Sequence, residues 1–113
     1  MSEKQELAGG VTASDDVVGE GPACPHGGTV RVHYRGTLED GTQFDSSYDR
    51  GEPIEFPLSN LIEGWQVGIP GMRVGGKRRL EVPWSMAYGE RGAPPTIPPR
   101  ANLVFEIELL GVR

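Results

Sequence analysis

Hydrophobic and polar positions alternate most clearly in two stretches of the chain. From about Thr29 to Leu38, Val30, Val32 and Tyr34 share one face, while Arg31, His33 and Arg35 share the other. That two-residue period is the mark of a half-buried strand. From Asn102 to Leu110, Leu103, Phe105, Ile107 and Leu109 fall together, with Glu106 and Glu108 opposite. A shorter strand is predicted from Arg78 to Pro83, with Leu80 and Val82 inward and Arg79 ready to meet those glutamates across a ladder. Glu39-Asp40-Gly41 signals a hairpin, because Asp-Gly accepts the unusual dihedrals of a tight turn. Thr42 to Ser46 then returns antiparallel and carries Phe44. Tyr48 to Gly51 reads as a loop or bulge. Ile54, Phe56 and Leu58 alternate, and Pro53 and Pro57 lack an N–H, so this segment suits a sheet edge.

One helix is predicted, from about Leu61 to Val67. Asn60 would cap it and Glu63 would complete a capping box. Leu61 and Trp65, four apart, share a face, which makes Trp65 a plug against a curved sheet. Gly68 and Pro70 end the helix. Residues 1–13 are polar and aperiodic and read as a flexible arm, with an edge strand starting at Asp16-Val17-Val18. Met86 to Arg100 reads as a long irregular loop stiffened by paired prolines. The predicted architecture is α+β: a strongly curved antiparallel sheet around one short helix, with residues 14–113 forming a single domain.

Composition changes this picture in a few places. The 113 residues fit one domain, and the 17 glycines and 10 prolines punctuate apolar runs rather than forming a disordered tract. A formal charge of -5 argues against broad nucleic-acid binding. Lys77-Arg78-Arg79 is a local exception and reads as the solvent face and start of a strand. Cys24 is the single cysteine, so no intramolecular disulfide forms and a reducing compartment fits best. No stretch has the roughly 20 apolar residues needed to cross a bilayer. The expectation is a cytoplasmic monomer with no membrane partner.

Candidate chemistry is sparse. Cys24 and His26 lie in turn material without a third positioning group, which argues against a nucleophilic pair. One Cys and two His do not make a usual zinc set, and Gly71 with Gly75-Gly76 is no nucleotide fingerprint. No metal and no cofactor are expected. What remains is an apolar and aromatic lining with few polar groups, suited to a reaction that needs shape, desolvation and one or two hydrogen bonds.

Val32-His33-Tyr34-Arg35-Gly36, Leu38-Glu39-Asp40-Gly41, Phe44-Asp45-Ser46-Ser47, Ile62-Glu63-Gly64-Trp65, Gly71-Met72-Arg73-Val74-Gly75 and Ala87-Tyr88-Gly89 follow one another at characteristic spacing. Ile97-Pro98-Pro99 and Asn102 to Leu110 close the series. Together they closely resemble the FKBP family of peptidyl-prolyl cis-trans isomerases, over about residues 14 to 112. The resemblance implies a sheet wrapped round a short helix and rotation of Xaa-Pro bonds in proline-containing peptides or unfolded proteins. It also implies binding of macrolides of the rapamycin type in the same pocket. Tyr34, Phe44 and Phe105 would be the walls and Trp65 the floor. Leu61 and Ile62 match the aliphatic pair before Gly-Trp, and the Ile62 N–H would hold a ligand carbonyl. Tyr88 would set its hydroxyl over the substrate carbonyl region. Ile54 stands where several members carry a phenylalanine, and Ile97 would close the rim. Asp45 would be partnered by Arg50, either as an electrostatic organiser of the pocket or as a buried partner of Arg50 and Tyr34. Tyr88, Asp45, Phe44, Trp65 and Ile62 are thus the expected catalytic group. The rival class is a chaperone or binding module that grips proline-containing segments with weak turnover.

Overall fold

The computed structural model describes residues 4–113. The strongest alternations form the two longest strands, β3 (Thr29–Leu38) and β7 (Leu103–Val112), which pair antiparallel along almost their whole length. Their inward residues, Val30, Val32, Leu103, Phe105, Ile107 and Leu109, are all buried. The turn at Asp40-Gly41 brings back β4 (Gln43–Ser46), and β5 (Ile54–Pro57) pairs with the other half of the same β3 edge. On the far side β7 pairs with β6 (Lys77–Val82). Arg79 stands opposite Glu106 as expected, but at 3.9 Å and half exposed the pair contributes under about 1 kcal/mol.

The N-terminal reading needs correction. Residues 4–13 are not a loose arm; residues 1–3 lie outside the described part. Gln5–Glu6 (β1) pairs with β2 (Thr12–Val17), and β2 pairs with β6. Val11 and Ala13 are buried in the core. Their small, mixed surroundings carry no period of their own, and pairing to the edge of β6 supplies the order that propensity lacks. The sheet therefore runs β1-β2-β6-β7-β3-β4, with β5 beside β4 on β3.

Arg78 is also corrected. It shares the inward face with Leu80 and Val82 and is buried rather than solvated. Its Nε and Nη2 donate to the two Asp15 oxygens at 2.6 and 3.1 Å, and its Nη1 donates to the Gly68 carbonyl at 2.8 Å. All the charge it carries into the interior is thereby matched, which is the condition for burying a guanidinium.

Two helical details differ. Ser47–Arg50 forms a single turn (α1), capped by Ser46, whose hydroxyl accepts the Asp49 N–H, and ended by Gly51 in the left-handed region at φ 74°. The main helix, α2, spans Glu63–Gly68 with Ile62 at its cap, and no capping box forms. Asn60 instead ends a 3-10 turn over Leu58–Asn60. Because two fewer residues are helical at the front, Leu61 and Ile62 stay extended and available to line a cavity. α2 lies inside the concavity close to β6: a Cβ on Gly64 would overlap a methyl of Val82.

Candidate functional site

A cavity of ≈ 230 Å³ opens between the concave sheet and α2. Trp65 forms its floor. It is 4% exposed and its ring meets Tyr34 and Phe105 edge-on, both with centroids 5.2 Å away. Phe44 stands against Phe105 at 5.7 Å and 88°. Edge-to-face contacts of this kind align the positive rim of one ring with the negative face of the next, adding about 0.5–1.5 kcal/mol per pair beyond area burial. The packing requires Gly36 behind it, since a Cβ there would sit 2.5 Å from Phe44 Cζ and 3.0 Å from Phe105 Cε1. Ile54 from β5, with Leu61 and Ile62 before α2, supplies the aliphatic side.

The polar groups divide into committed and uncommitted ones. Tyr34 O–H donates to Asp45 Oδ2, and Arg50 Nη1 donates to Asp45 Oδ1. Arg50 Nη2 also donates to the Tyr34 oxygen at 3.0 Å, and its guanidinium lies 5.6 Å from the Tyr34 ring centre. Burial pushes the Asp45 carboxyl upward, but hydrogen bonds from Tyr34 and Arg50, with the Arg50 charge, outweigh it and hold the group below its ordinary value. Burial, then the bond to Asp45, raises the Tyr34 phenol. Asp45 is therefore an ionised acceptor with both oxygens engaged, which is a poor arrangement for a proton-transfer base.

Two donors remain. Tyr88 O–H makes no hydrogen bond among the described residues, and burial followed by the Asp45 charge raises its pKa, so it stays protonated. Ile62 N–H, at the cap of α2, likewise has no acceptor among them, as the first N–H groups of a helix lack intrahelical partners. The Trp65 indole N–H is buried without a partner among the described residues.

Of the eleven residues singled out from the sequence, nine line the cavity: Tyr34, Phe44, Asp45, Ile54, Leu61, Ile62, Trp65, Tyr88 and Phe105. Arg50 and Ile97 do not. Arg50 stands behind Asp45, and Ile97 is buried in the core, where it anchors the rim loop through two backbone bonds with Ala93 at 2.9 and 3.0 Å. One lining residue, Asn60, escaped the sequence reading because it was assigned as a helix cap. Cys24 is buried, and burial raises its thiol pKa, so it has the character of an inert core cysteine.

The profile described as "FKBP-type peptidyl-prolyl cis-trans isomerase" matches residues 21–110. The peptidyl-prolyl cis-trans isomerase FPR2 of Saccharomyces cerevisiae is 57% identical over 90 residues, 77% of this chain and 67% of the yeast protein. FK506-binding protein 1 of Candida glabrata is 48% identical over 111 residues, covering 96% of this chain and 97% of that one. The crystal structure of a peptidyl-prolyl cis-trans isomerase from Pseudomonas syringae pv. tomato superposes with a TM-score of 0.89 at 41% identity, over 96% of this chain and 80% of that one. The chain spans about half the length of several other relatives. It belongs to the FKBP-type peptidyl-prolyl cis-trans isomerase family, whose members catalyse isomerisation of Xaa-Pro peptide bonds. The matched profile begins after β2, yet β1 and β2 extend the same sheet.

Proposed function

We propose that the cavity seats the prolyl ring of an Xaa-Pro segment on Trp65 and rotates the peptide bond without covalent chemistry. The observation that carries this is the pairing of an aromatic floor with two uncommitted donors, Ile62 N–H and Tyr88 O–H, while Asp45, the one carboxylate among the described lining residues, is fully engaged. The barrier to rotation is about 18–20 kcal/mol, and the isomers of an Xaa-Pro bond differ by about 1 kcal/mol or less. No bond needs to break. At the twisted state the amide loses conjugation and charge separation, so a dry aromatic surface disfavours it less than the planar ground state. The two donors hold flanking carbonyls, and Tyr34, Asp45 and Arg50 keep that wall in place. No residue is asked to move a proton.

Substrates are proline-containing peptides and incompletely folded proteins. Macrolides of the rapamycin type would occupy the same cavity and compete with peptide; the name of the Candida relative, an FK506-binding protein, supports this extension. We read the protein as a monomer, and the single buried cysteine fits a reducing, cytoplasmic setting.

Refolding of a protein limited by prolyl isomerisation tests the enzyme against the binder. Acceleration by substoichiometric amounts supports turnover; slowing that needs one equivalent supports a holdase. The aliphatic side formed by Ile54, Leu61 and Ile62 predicts a preference for Leu-Pro over Glu-Pro peptides of at least tenfold in kcat/KM, or about 1.4 kcal/mol. A glutamate there loses hydration near the ionised Asp45. Equal values across a matched peptide series would mean that the residue before proline stays in solvent.

A further inference from the structure

The buried Ser47 hydroxyl lies outside the cavity lining. β3 pairs with β5 as far as Val32 and with β4 from Arg35 onward. His33 and Tyr34 therefore have no strand partner on that edge, because the intervening chain leaves the sheet as α1. Ser47, the first residue of α1, is fully buried in the gap. Its hydroxyl accepts the Tyr34 N–H at 2.7 Å and donates to the Tyr34 carbonyl at 3.3 Å. One side chain thus supplies both bonds that a neighbouring strand would make.

The hydroxyl is itself held from the other side. His33 Nδ1 lies 2.8 Å from the Ser47 oxygen, and the His33 ring stacks on Tyr48 at 4.6 Å and 14°. Tyr48 donates to Glu108 of β7 at 3.0 Å. Burial, with that bond and the Glu108 and Glu106 charges, pushes Tyr48 up to about 12, so the phenol remains a donor at any ordinary pH.

We propose that Ser47 is a positioning residue for isomerisation, which fixes the Tyr34 backbone and, through the Tyr34 hydroxyl, the Asp45–Arg50 side of the cavity. The proposal rests on the isomerase reading of that cavity. Without the hydroxyl, the Tyr34 N–H and carbonyl are left unpaired in a buried site, and the strand must shift to satisfy them. A shift of Tyr34 moves both its ring, which touches Trp65, and its bond to Asp45.

The test compares wild type, Ser47→Ala, Ser47→Cys and Val11→Ala. The last removes buried methyls on the β2 side, away from the cavity. Two quantities are read: kcat/KM on an Xaa-Pro peptide, and the titration of the Asp45 carboxyl carbon by NMR. Ser47→Ala is expected to lower kcat/KM about tenfold and to move the Asp45 titration to higher pH as Tyr34 stops donating. Ser47→Cys, with a weak thiol in place of the hydroxyl, should move both in the same direction, and it carries the test if the alanine variant does not fold. Val11→Ala should lower thermal stability and leave both readouts alone. An active wild type with Ser47 variants within twofold of it and an unmoved Asp45 titration overturns the proposal. So do equal activity losses in Val11→Ala, which would trace the effect to stability alone. A wild type inactive on Xaa-Pro peptides removes the isomerase reading as well, so the two failures are distinguishable.

Discussion

Two Asp–Arg pairs sit in this small protein in opposite surroundings. Asp15 and Arg78 join β2 to β6 with the Arg78 side chain only 10% exposed, and the guanidinium also holds the Gly68 carbonyl at the end of α2. Asp45 and Arg50 flank the cavity with side chains 38% and 47% exposed, and the third member of their set is a phenol. The chemistry of the pairs is the same, but the consequences differ. In the interior a charge left alone is costly, so the first pair governs whether the sheet and helix stay together. At the cavity edge water screens the loss, so the second pair contributes little to folding and acts by orienting Tyr34.

The largest expected effect breaks the buried pair. Arg78→Ala leaves Asp15 and the Gly68 carbonyl without their donor and should destabilise the fold by about 3 kcal/mol. Denaturant titration checks this, with kcat/KM of the folded fraction unchanged. A loss below about 1 kcal/mol would put the two pairs in one class. Asp45→Ala should do the reverse: stability changes by under about 1 kcal/mol, while kcat/KM falls about tenfold as Tyr34 and Arg50 lose their common acceptor. Equal stability losses in the two variants would erase the contrast.

Tyr88→Phe removes one uncommitted donor while keeping the ring. One neutral hydrogen bond is worth about 0.5–1.5 kcal/mol, so kcat/KM should fall about two- to twelvefold. A thousandfold drop with the fold intact would mean proton or covalent chemistry at Tyr88. The smallest effect is that of pH. The folded Asp45 pKa is depressed, so its contribution is complete above the unfolded value of about 3.9 and is lost only as pH falls through the lower folded value. Less than about twofold change in kcat/KM is therefore expected between pH 8 and 5. An acid limb near pH 6 that Asp45→Asn abolishes would show a carboxyl titrating far above the range its partners impose.

Much of this molecule was legible along the chain. β3 and β7 were readable because a strand with one buried face must alternate, and their inward side chains are aliphatic or aromatic. Nine lining residues followed from motifs whose spacing carries the family resemblance. β2 was not readable, because Val11 and Ala13 become core only when β6 lies beside them. Arg78 was misread for a related reason: its period matched Leu80 and Val82, but its charge argued for solvent until Asp15, 63 residues away, was seen to meet it.

The hydrophobic period by itself determined β3, β6 and β7, the single aromatic-rich interior and the place of Trp65 on a helix, since burial imposes those patterns locally. Tertiary structure alone decided which polar groups are spent and which are free. Asp45 is engaged twice, Ser47 stands in for an absent strand, and Asn60 turns from a helix cap into cavity wall. A hydrogen bond is a matter of ångströms and direction between groups far apart in the chain, and no residue's own identity specifies who will stand opposite it.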